Sequence, residues 1–422
     1  MRTVRKAVLT IIENVVSPRL AKLYLDAVKR TYGNSSPSEH ESRKSIFVSF
    51  PFNSLGDVLA LIPLLERIHK VWPTARLHVA VGSVIAPFLA HIPFIKVIPV
   101  ATVPHKGRIL WRIREIQKIV ACFRQELPNE YYDLSISSRW GSDAFARASR
   151  YQMYLANSKR RISYSATVDG GPSILDRLST DLAFGGAMEQ ESVRQIRLLE
   201  RTAVMEPGED IDSAVRLQTD ALVAIAARLS GVQLKEQLHK YTGKSIDEYI
   251  VVSPGASRAT NQWPIERFEQ VITGLHREHR FSVLVVGDNR DANICEALAE
   301  RLPGIAFSLG GKTSLEELAA IIKGAKLFIG NDSGPAHMAG GLGVRCIVLT
   351  AFAARSDQSH KHSALRWRPN GPFVSVIQPT DPLPPCRVGC DARTPHCILQ
   401  ISPGAALEIA AKQLGGVTAC RG

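Results

Sequence analysis

Residues 328–342 read FIGNDSGPAHMAGGL: a short apolar run, a turn of small polar residues and a second apolar run. The first run has the length of a buried strand, and Ala336 to Leu342 continue as an apolar helix, so the stretch predicts a strand–turn–helix unit. Ser333 and Gly334 then offer backbone N–H groups at a helix N-terminus, which is a ready site for an anion. Asp332 either accepts a ribose hydroxyl or orients this loop.

The same alternation continues on both sides of this unit. The predicted strands are SIFVSF (45–50), RLHVAVG (76–82), YYDLSISS (131–138), YIVVSPG (249–255), FSVLVVGD (281–288) and RCIVLTA (345–351). Helical patterns separate them, which predicts an α/β fold with parallel sheets covered on both faces. The pattern restarts near residue 248, so we expect two doubly wound, Rossmann-like domains with ligands beyond the carboxyl ends of the strands.

The length of 422 residues also favours two domains. Hydrophobic residues make up 45% and charged residues 22%, which excludes a disordered chain, a collagen-like repeat and a polytopic membrane protein. The predicted segments are an N-terminal extension and linker (1–43), a first domain (44–215), a helical connector (216–247), a second domain (248–385) and a cysteine-containing C-terminal segment (386–422).

The chain is basic, with 52 Lys and Arg against 39 Asp and Glu and a net charge of +13. This surplus indicates an anionic partner, such as phosphorylated sugars, an acidic membrane face or nucleic acid. Nucleic acid is excluded here, because no RRM, KH or zinc-finger pattern is present and aromatic residues make up only 7%. Residues 1–33 form a basic amphipathic segment that either packs on the first domain or lies on an anionic bilayer.

Two further turns follow predicted strands. Asp57 ends the turn NSLGD (53–57), where its carboxylate either takes a proton from a sugar hydroxyl or caps a helix. In SPGASR (253–258), Ser257 offers a hydroxyl and Arg258 a positive charge to a phosphate, although a plain strand–loop–helix turn has the same pattern. The stretch GGKTS (310–314) lacks the glycine spacing of a P-loop, and Thr313 with Glu316 fits a capping box.

The C-terminal cysteines have two interpretations. The sequence holds Cys386, Cys390 and Cys397, with His396 beside the last, and Cys420 near the end. Four thiols within this segment could hold zinc or iron. Their spacings miss the paired CxxC pattern, so thiols without a metal are the other interpretation. Seven cysteines, an odd number, predict a reduced, cytosolic chain.

In chain order the motifs are GDV (56–58), GAS (255–257), WP (263–264), GKTSL (311–315), GNDSGP (330–335), HC (396–397) and ISP (401–403). Together they resemble the heptosyltransferases of glycosyltransferase family 9, over about residues 45–415. The most distinctive pieces are GKTSLEELAAII (311–322) and IGNDSGPAHMAGGLG (329–343).

The resemblance implies a GT-B enzyme whose two domains face a central cleft, with an acceptor-binding first domain and a nucleotide-sugar-binding second domain. It implies transfer of heptose from ADP-heptose to the lipid-anchored lipopolysaccharide core, on the cytoplasmic side of the inner membrane and in peripheral contact with it. Transfer would invert the anomeric centre, with no metal and no cofactor besides the donor.

The resemblance also assigns residues. Asp57 matches the catalytic carboxylate, which acts as general base, and is expected to meet the nucleotide loop only when the cleft closes. The residues that match nucleotide-sugar-binding positions are Ser257, Thr313, Asp332, Ser333, Gly334 and His337, with Asp291 as an approximate match. Asn261 stands where members commonly carry lysine, and Arg258 is the nearest cation in the sequence to replace it.

The basic stretch from His105 to Arg124 either faces the acceptor and lipid head groups or is a solvated helix face; its candidate acceptor-binding residues are Lys106, Arg108 and Arg112. Two alternatives to the heptosyltransferase interpretation stay open. One is a transferase of the same fold with another nucleotide sugar or another acceptor, which Asn261 favours. The other is a nucleotide-binding protein that has lost transfer, against which the presence of Asp57 argues.

Overall fold

The computed structural model describes residues 17–32, 43–101, 109–127, 130–141, 143–167, 173–206, 211, 215–216, 218–386 and 392–415. The chain divides into two compact units. The amino-terminal unit comprises Met1–Ser54, Leu64–Gly186 and Arg194–Gly208, and the carboxy-terminal unit comprises Leu55–Pro63, Ala187–Val193 and Glu209–Gly422. The segment that carries Asp57 therefore belongs to the same unit as the loop around residue 333.

The sheet of the amino-terminal unit has six parallel strands in the order β3-β2-β1-β4-β5-β6. The elements are α1 (Ser17–Tyr32), β1 (Ser45–Phe50), α2 (Leu55–Val71), β2 (Arg76–Gly82), α3 (Ala86–Leu89), β3 (Lys96–Val100), α4 (Ile109–Glu126), β4 (Tyr132–Ser137), α5 (Ala144–Leu155), β5 (Ser158–Tyr164), a 3₁₀ turn (Ile174–Leu178), β6 (Asp181–Ala183) and α6 (Glu191–Arg201). Val48 of the central strand faces Val79 and Ile136, and all three are buried. The chain order reverses between β1 and β4.

The sheet of the carboxy-terminal unit repeats this plan, with six parallel strands in the order β12-β11-β10-β7-β8-β9. The elements are α7 (Asp220–Ala226), α8 (Gly231–Thr242), β7 (Tyr249–Ser253), a 3₁₀ turn (Ala259–Asn261), α9 (Ile265–His279), β8 (Ser282–Val285), α10 (Ala292–Glu300), β9 (Ala306–Ser308), α11 (Leu315–Lys323), β10 (Phe328–Asn331), α12 (Gly334–Gly341), β11 (Cys346–Leu349), β12 (Val374–Ile377), a 3₁₀ turn (Cys397–Gln400) and α13 (Pro403–Leu414). The chain order reverses between β7 and β10, which is where doubly wound sheets bind ligands.

The predicted α/β architecture of two parallel sheets is confirmed. Strands such as β7 and β10 are buried at every residue because helices cover parallel sheets on both faces. One local prediction was wrong: the capping box before α11 is formed by Ser314 and Glu317, not by Thr313 and Glu316. Both pairs have the required spacing of three, and the helix begins one residue later than the sequence suggested.

Helix α1 packs on the amino-terminal unit. Ala21 and Leu25 are fully buried in the hydrophobic core of that unit, whereas Leu20 and Leu23 are exposed. The expectation of a packed helix is therefore met for residues 17–32, and residues 1–16 lie outside the described part of the chain. Within the described residues, no helix is both long enough and apolar enough to cross a bilayer.

Candidate functional site

The carboxyl ends of β7 and β10 are joined through one buried amide. Asn331, the last residue of β10, is fully buried. Its Nδ2 donates to the carbonyl of Pro254 at 2.7 Å, and its Oδ1 accepts from the backbone N–H of Trp263 at 3.2 Å. Asn331 thus fixes the loop after β7 against the loop after β10. The sequence analysis did not single out Asn331, and its only signal was its place just before Asp332.

The start of α12 offers hydrogen-bond donors of the kind that bind anions, and we refer to it as the anion cradle. Ser333 is the N-cap residue and Gly334 begins the helix. The first N–H groups of a helix have no partner within it, and they carry the positive end of its dipole. The buried Ser333 Oγ has no hydrogen-bond partner among the described residues. A buried hydroxyl without a partner costs free energy, so a ligand oxygen at this position would be stabilised.

Two titratable groups lie beside the cradle. Burial raises the pKa of Asp332 to about 6, and the nearby Arg258 guanidinium opposes part of that rise. Burial lowers the pKa of His337 to about 4, so its imidazole is neutral at neutral pH. Nε2 of His337 and Oδ1 of Asp332 are 3.9 Å apart, too far for a hydrogen bond.

Asp57 is the third residue of α2 and is half-buried. The start of this helix packs against the start of α12 through two glycines. A Cβ added to Gly56 would lie 3.0 Å from Cδ2 of His337, and one added to Gly334 would lie 2.9 Å from Cβ of Leu55. The structure therefore brings the Asp57 segment and the 332–337 loop together, and the expectation that they meet only on closure stays a prediction. Two chain segments far apart in sequence come together because glycine permits close approach.

Asp291 lies between two other glycines. A Cβ on Gly255 would lie 2.2 Å from its Cγ, and a Cβ on Gly287 would lie 2.6 Å from its Cβ. Burial raises the pKa of Asp291, and the Asp288 carboxylate raises it further. Its carboxyl group therefore lies at the carboxyl ends of β7 and β8, directly against the loop that carries Ser257.

The remaining candidates of this unit differ in accessibility. Ser257 is exposed, Arg258 and Thr313 are half-buried, and Asn261 is only 4% exposed. Arg258 acts electrostatically on both Asp332 and His362, which places its charge beside the cradle. His362, in the loop after β11, has its pKa lowered to about 4 by burial and by Arg258. The sequence analysis missed His362 because isolated histidines in a loop carry no motif.

Behind the cradle, the ring of Trp367 meets His337 edge-on, with ring centroids 6.3 Å apart. The preceding residue, Arg366, forms a buried ion pair with Glu191, in which Nε and Oε2 are 2.8 Å apart. This pair attaches the loop that carries Trp367 to the first residue of α6.

Other predicted residues lie outside this arrangement. Lys106, Arg108, Cys390 and Cys420 fall outside the described residues, and the side chain of Arg112 in α4 is not described. Their predicted roles stay predictions. Cys386 and Cys397 lie close to His396 near the C-terminus.

Comparison with known proteins supports the family resemblance. Residues 215–366 match the family model of glycosyltransferase family 9 (heptosyltransferase). Lipopolysaccharide core heptosyltransferase OpsX of Haemophilus influenzae is 28% identical over 33% of this chain and 39% of its own length. Lipopolysaccharide heptosyltransferase 3 of Escherichia coli K12 is 24% identical over 74% of this chain and 82% of its own length. The match therefore spans about two fifths of the first relative and most of the second.

Solved structures show the same fold. A glycosyl transferase family 9 protein from Veillonella parvula aligns with a TM-score of 0.67 at 19% identity, covering 89% of this chain and 99% of that one. ADP-heptose lps heptosyltransferase II of Escherichia coli aligns with a TM-score of 0.64 at 17% identity, covering 88% and 98%. Both units of this chain thus have counterparts in proteins of that architecture.

Proposed function

We propose that the chain, whose residues 215–366 match the model of glycosyltransferase family 9 (heptosyltransferase), transfers heptose from ADP-heptose to a lipopolysaccharide core acceptor. The observation that carries the proposal is the meeting of two helix starts in one unit: α2 brings a carboxylate, and α12 brings the N–H groups of its first turn and a buried hydroxyl. One provides a base, and the other provides a site for a diphosphate. The names of the relatives support heptose and lipopolysaccharide as donor sugar and acceptor.

In this proposal the donor diphosphate lies at the start of α12. The N–H groups of Ser333 and Gly334 and the Ser333 hydroxyl donate to its oxygens, and Arg258 adds a positive charge. Asp291, held between Gly255 and Gly287, is available to the nucleoside. The departing diphosphate gains negative charge, and these groups stabilise it without rearrangement because the surrounding packing already fixes them.

The Asp57 carboxylate takes the proton of the acceptor hydroxyl as that oxygen bonds to the anomeric carbon. The bond from the anomeric carbon to the diphosphate oxygen breaks in the same step, so the configuration inverts. His337 stays neutral at working pH, since burial lowers its pKa to about 4, and it does not compete for the proton.

The direct test is a donor competition. The purified chain is incubated with truncated lipopolysaccharide cores and either ADP-heptose, a UDP-sugar or a GDP-sugar, and products are identified by mass. We expect a product heavier by one heptose with ADP-heptose alone. A product from a UDP- or GDP-sugar instead would replace the proposed donor, and transfer to a non-lipopolysaccharide glycan would replace the acceptor.

We expect ADP to bind more tightly as the pH falls through about 6. The Asp332 carboxyl is neutral below its pKa of about 6 and charged above it, and a charged carboxylate repels a neighbouring diphosphate. If binding raises that pKa by one further unit, the two forms differ about tenfold in affinity. Calorimetric measurements of ADP affinity across this pH range, for the wild type and for Asp332→Asn, separate the contribution of the Asp332 carboxyl from the titration of ADP itself. Parallel pH profiles for the two proteins would contradict the assignment.

Gly255→Ala is expected to weaken ADP binding, because the new methyl group would occupy the place of the Asp291 carboxyl group. Overpacking of this kind costs about 1–3 kcal/mol. If this cost applies only to the ADP-bound state, it weakens the affinity for ADP by roughly 5- to 150-fold. The matched control is Gly231→Ala at the start of α8, where a Cβ meets nothing within 4 Å. Equal ADP affinity in the two variants would show that the Gly255 loop is not part of the donor site.

We further propose that α1 contributes peripheral contact with the anionic inner face of the cytoplasmic membrane. Leu20 and Leu23 are 46% and 63% exposed and lie three residues apart, on one side of a basic helix. The double variant Leu20→Asp, Leu23→Asp is expected to reduce sedimentation of the chain with phosphatidylglycerol vesicles. Val232→Asp, at a 70% exposed residue of α8, is the control. Undiminished sedimentation of the double variant would remove α1 from the contact.

A further inference from the structure

Three soft ligands converge near the C-terminus of the carboxy-terminal unit, at residues that the transfer mechanism does not use. Cys386, His396 and Cys397 each offer one ligand atom, and these atoms all lie within 4.8 Å of one another. Cys386 is 3% and Cys397 is 4% exposed, whereas His396 is half-buried. Thiol sulfur and imidazole nitrogen form the donor set typical of zinc and iron sites.

The distances agree with the edges of a coordination tetrahedron. Nδ1 of His396 is 3.9 Å from Sγ of Cys386 and 3.5 Å from Sγ of Cys397. A tetrahedral ion with ~2.3 Å bonds to sulfur and ~2.05 Å bonds to nitrogen separates S and N by about 3.6 Å. The Nδ1 atom of His396 thus lies near both sulfurs. A single hydrogen bond would need only one of these contacts, whereas a metal ion bound by all three residues needs both.

We propose that Cys386, His396 and Cys397 provide three of the four ligands of a tetrahedral transition metal ion, with zinc favoured by the donor set. Both cysteines would bind as thiolates, and the histidine as neutral imidazole through Nδ1. The backbone N–H of Leu383 points at Sγ of Cys397, 3.4 Å away, and would stabilise the charge on that sulfur.

The ion would have a structural role that reaches the donor loop. The carbonyl of Ile401, four residues after Cys397, accepts hydrogen bonds from Nε1 of Trp263 at 3.1 Å and from Nη1 of Arg267 at 2.7 Å. Trp263 is fully buried, and its backbone N–H bonds to Asn331. A metal ion that joins Cys397 to Cys386 would therefore fix the position of the segment around Ile401, which is hydrogen-bonded to Trp263 after the β7 loop.

Metal analysis of the full-length chain is the test, and it needs no activity measurement. The protein is purified under reducing conditions, dialysed, and analysed for zinc and iron by mass spectrometry. We expect about one ion per chain in the wild type and a strong loss in His396→Ala and in Cys397→Ser. Cys122→Ser, at a half-buried cysteine of α4 outside the cluster, is the matched control and should keep the full content.

Cobalt substitution tests the site in the wild-type protein, so the proposal can be tested even if a variant fails to fold. Wild-type protein loaded with Co²⁺ should show the intense thiolate-to-cobalt absorption of a tetrahedral site, and a strong chelator should lower its melting temperature. Wild type without bound metal after reconstitution with Zn²⁺ and Co²⁺, or a Cys386–Cys397 disulfide in protein from a reducing lysate, would overturn the proposal. Neither result bears on sugar transfer, which the donor competition tests separately.

Discussion

Asp57→Asn is expected to lower the rate of sugar transfer by about 10²–10⁴-fold, the usual contribution of a positioned general base. The amide has the size of the carboxyl group but cannot take the proton of the acceptor hydroxyl. ADP affinity should stay within about twofold, since the residues proposed to bind the diphosphate lie on α12 and on the loop after β7. Product formation by mass and ADP binding by calorimetry measure the two quantities on the same preparation.

Glu66→Gln is the matched control, because Glu66 lies in the same helix as Asp57, more than two turns further along. It should keep wild-type turnover. If Asp57→Asn retained turnover within tenfold of the wild type, Asp57 would not be the base. If instead ADP affinity and turnover fell together, the change would have disturbed the packing of Gly56 on His337.

Glu191→Ala is expected to destabilise the carboxy-terminal unit by about 3–5 kcal/mol, because it removes the buried carboxylate that pairs with the Arg366 guanidinium. The two side chains are only 2% and 3% exposed. A loss of this size lowers the melting temperature by roughly 6–20 °C for a unit of about 200 residues. Calorimetry measures it directly, and ADP binding should weaken as well, since the adjacent Trp367 packs against His337.

An exposed ion pair of the same unit provides the comparison. Nη1 of Arg355 and Oδ2 of Asp381 are 3.1 Å apart, and the two side chains are 70% and 56% exposed. Asp381→Asn should therefore lower the free energy of unfolding by less than ~1 kcal/mol. A double replacement of Glu191 and Arg366 by methionine should lower the free energy of unfolding less than Glu191→Ala does, because it removes both buried charges together. A small loss of stability in Glu191→Ala would mean that the other contacts of Arg366 compensate for the lost carboxylate.

The local part of the site could be predicted from the sequence. The turns that hold Asp57, Ser257 and Ser333 follow apolar strands and open helices, and these signals span a few residues. The packing of Gly56 on His337 was not predictable, because it joins segments that lie far apart in the sequence. Nothing in the sequence around Gly56 indicates that the absence of a Cβ there lets the imidazole ring of His337, 281 residues later, pack against it.

The sequence by itself determined the α/β class, the helix start at Gly334 and the family resemblance, because strand and helix periods and turn chemistry are properties of neighbouring residues. Only the tertiary structure decided that Asn331 joins the loops after β7 and β10, that Asp291 lies between two glycines, and that His396 faces two cysteines. Each of these contacts depends on which strands are neighbours or on how a loop returns to its start. Strand order follows from packing of the whole sheet, which no local pattern encodes.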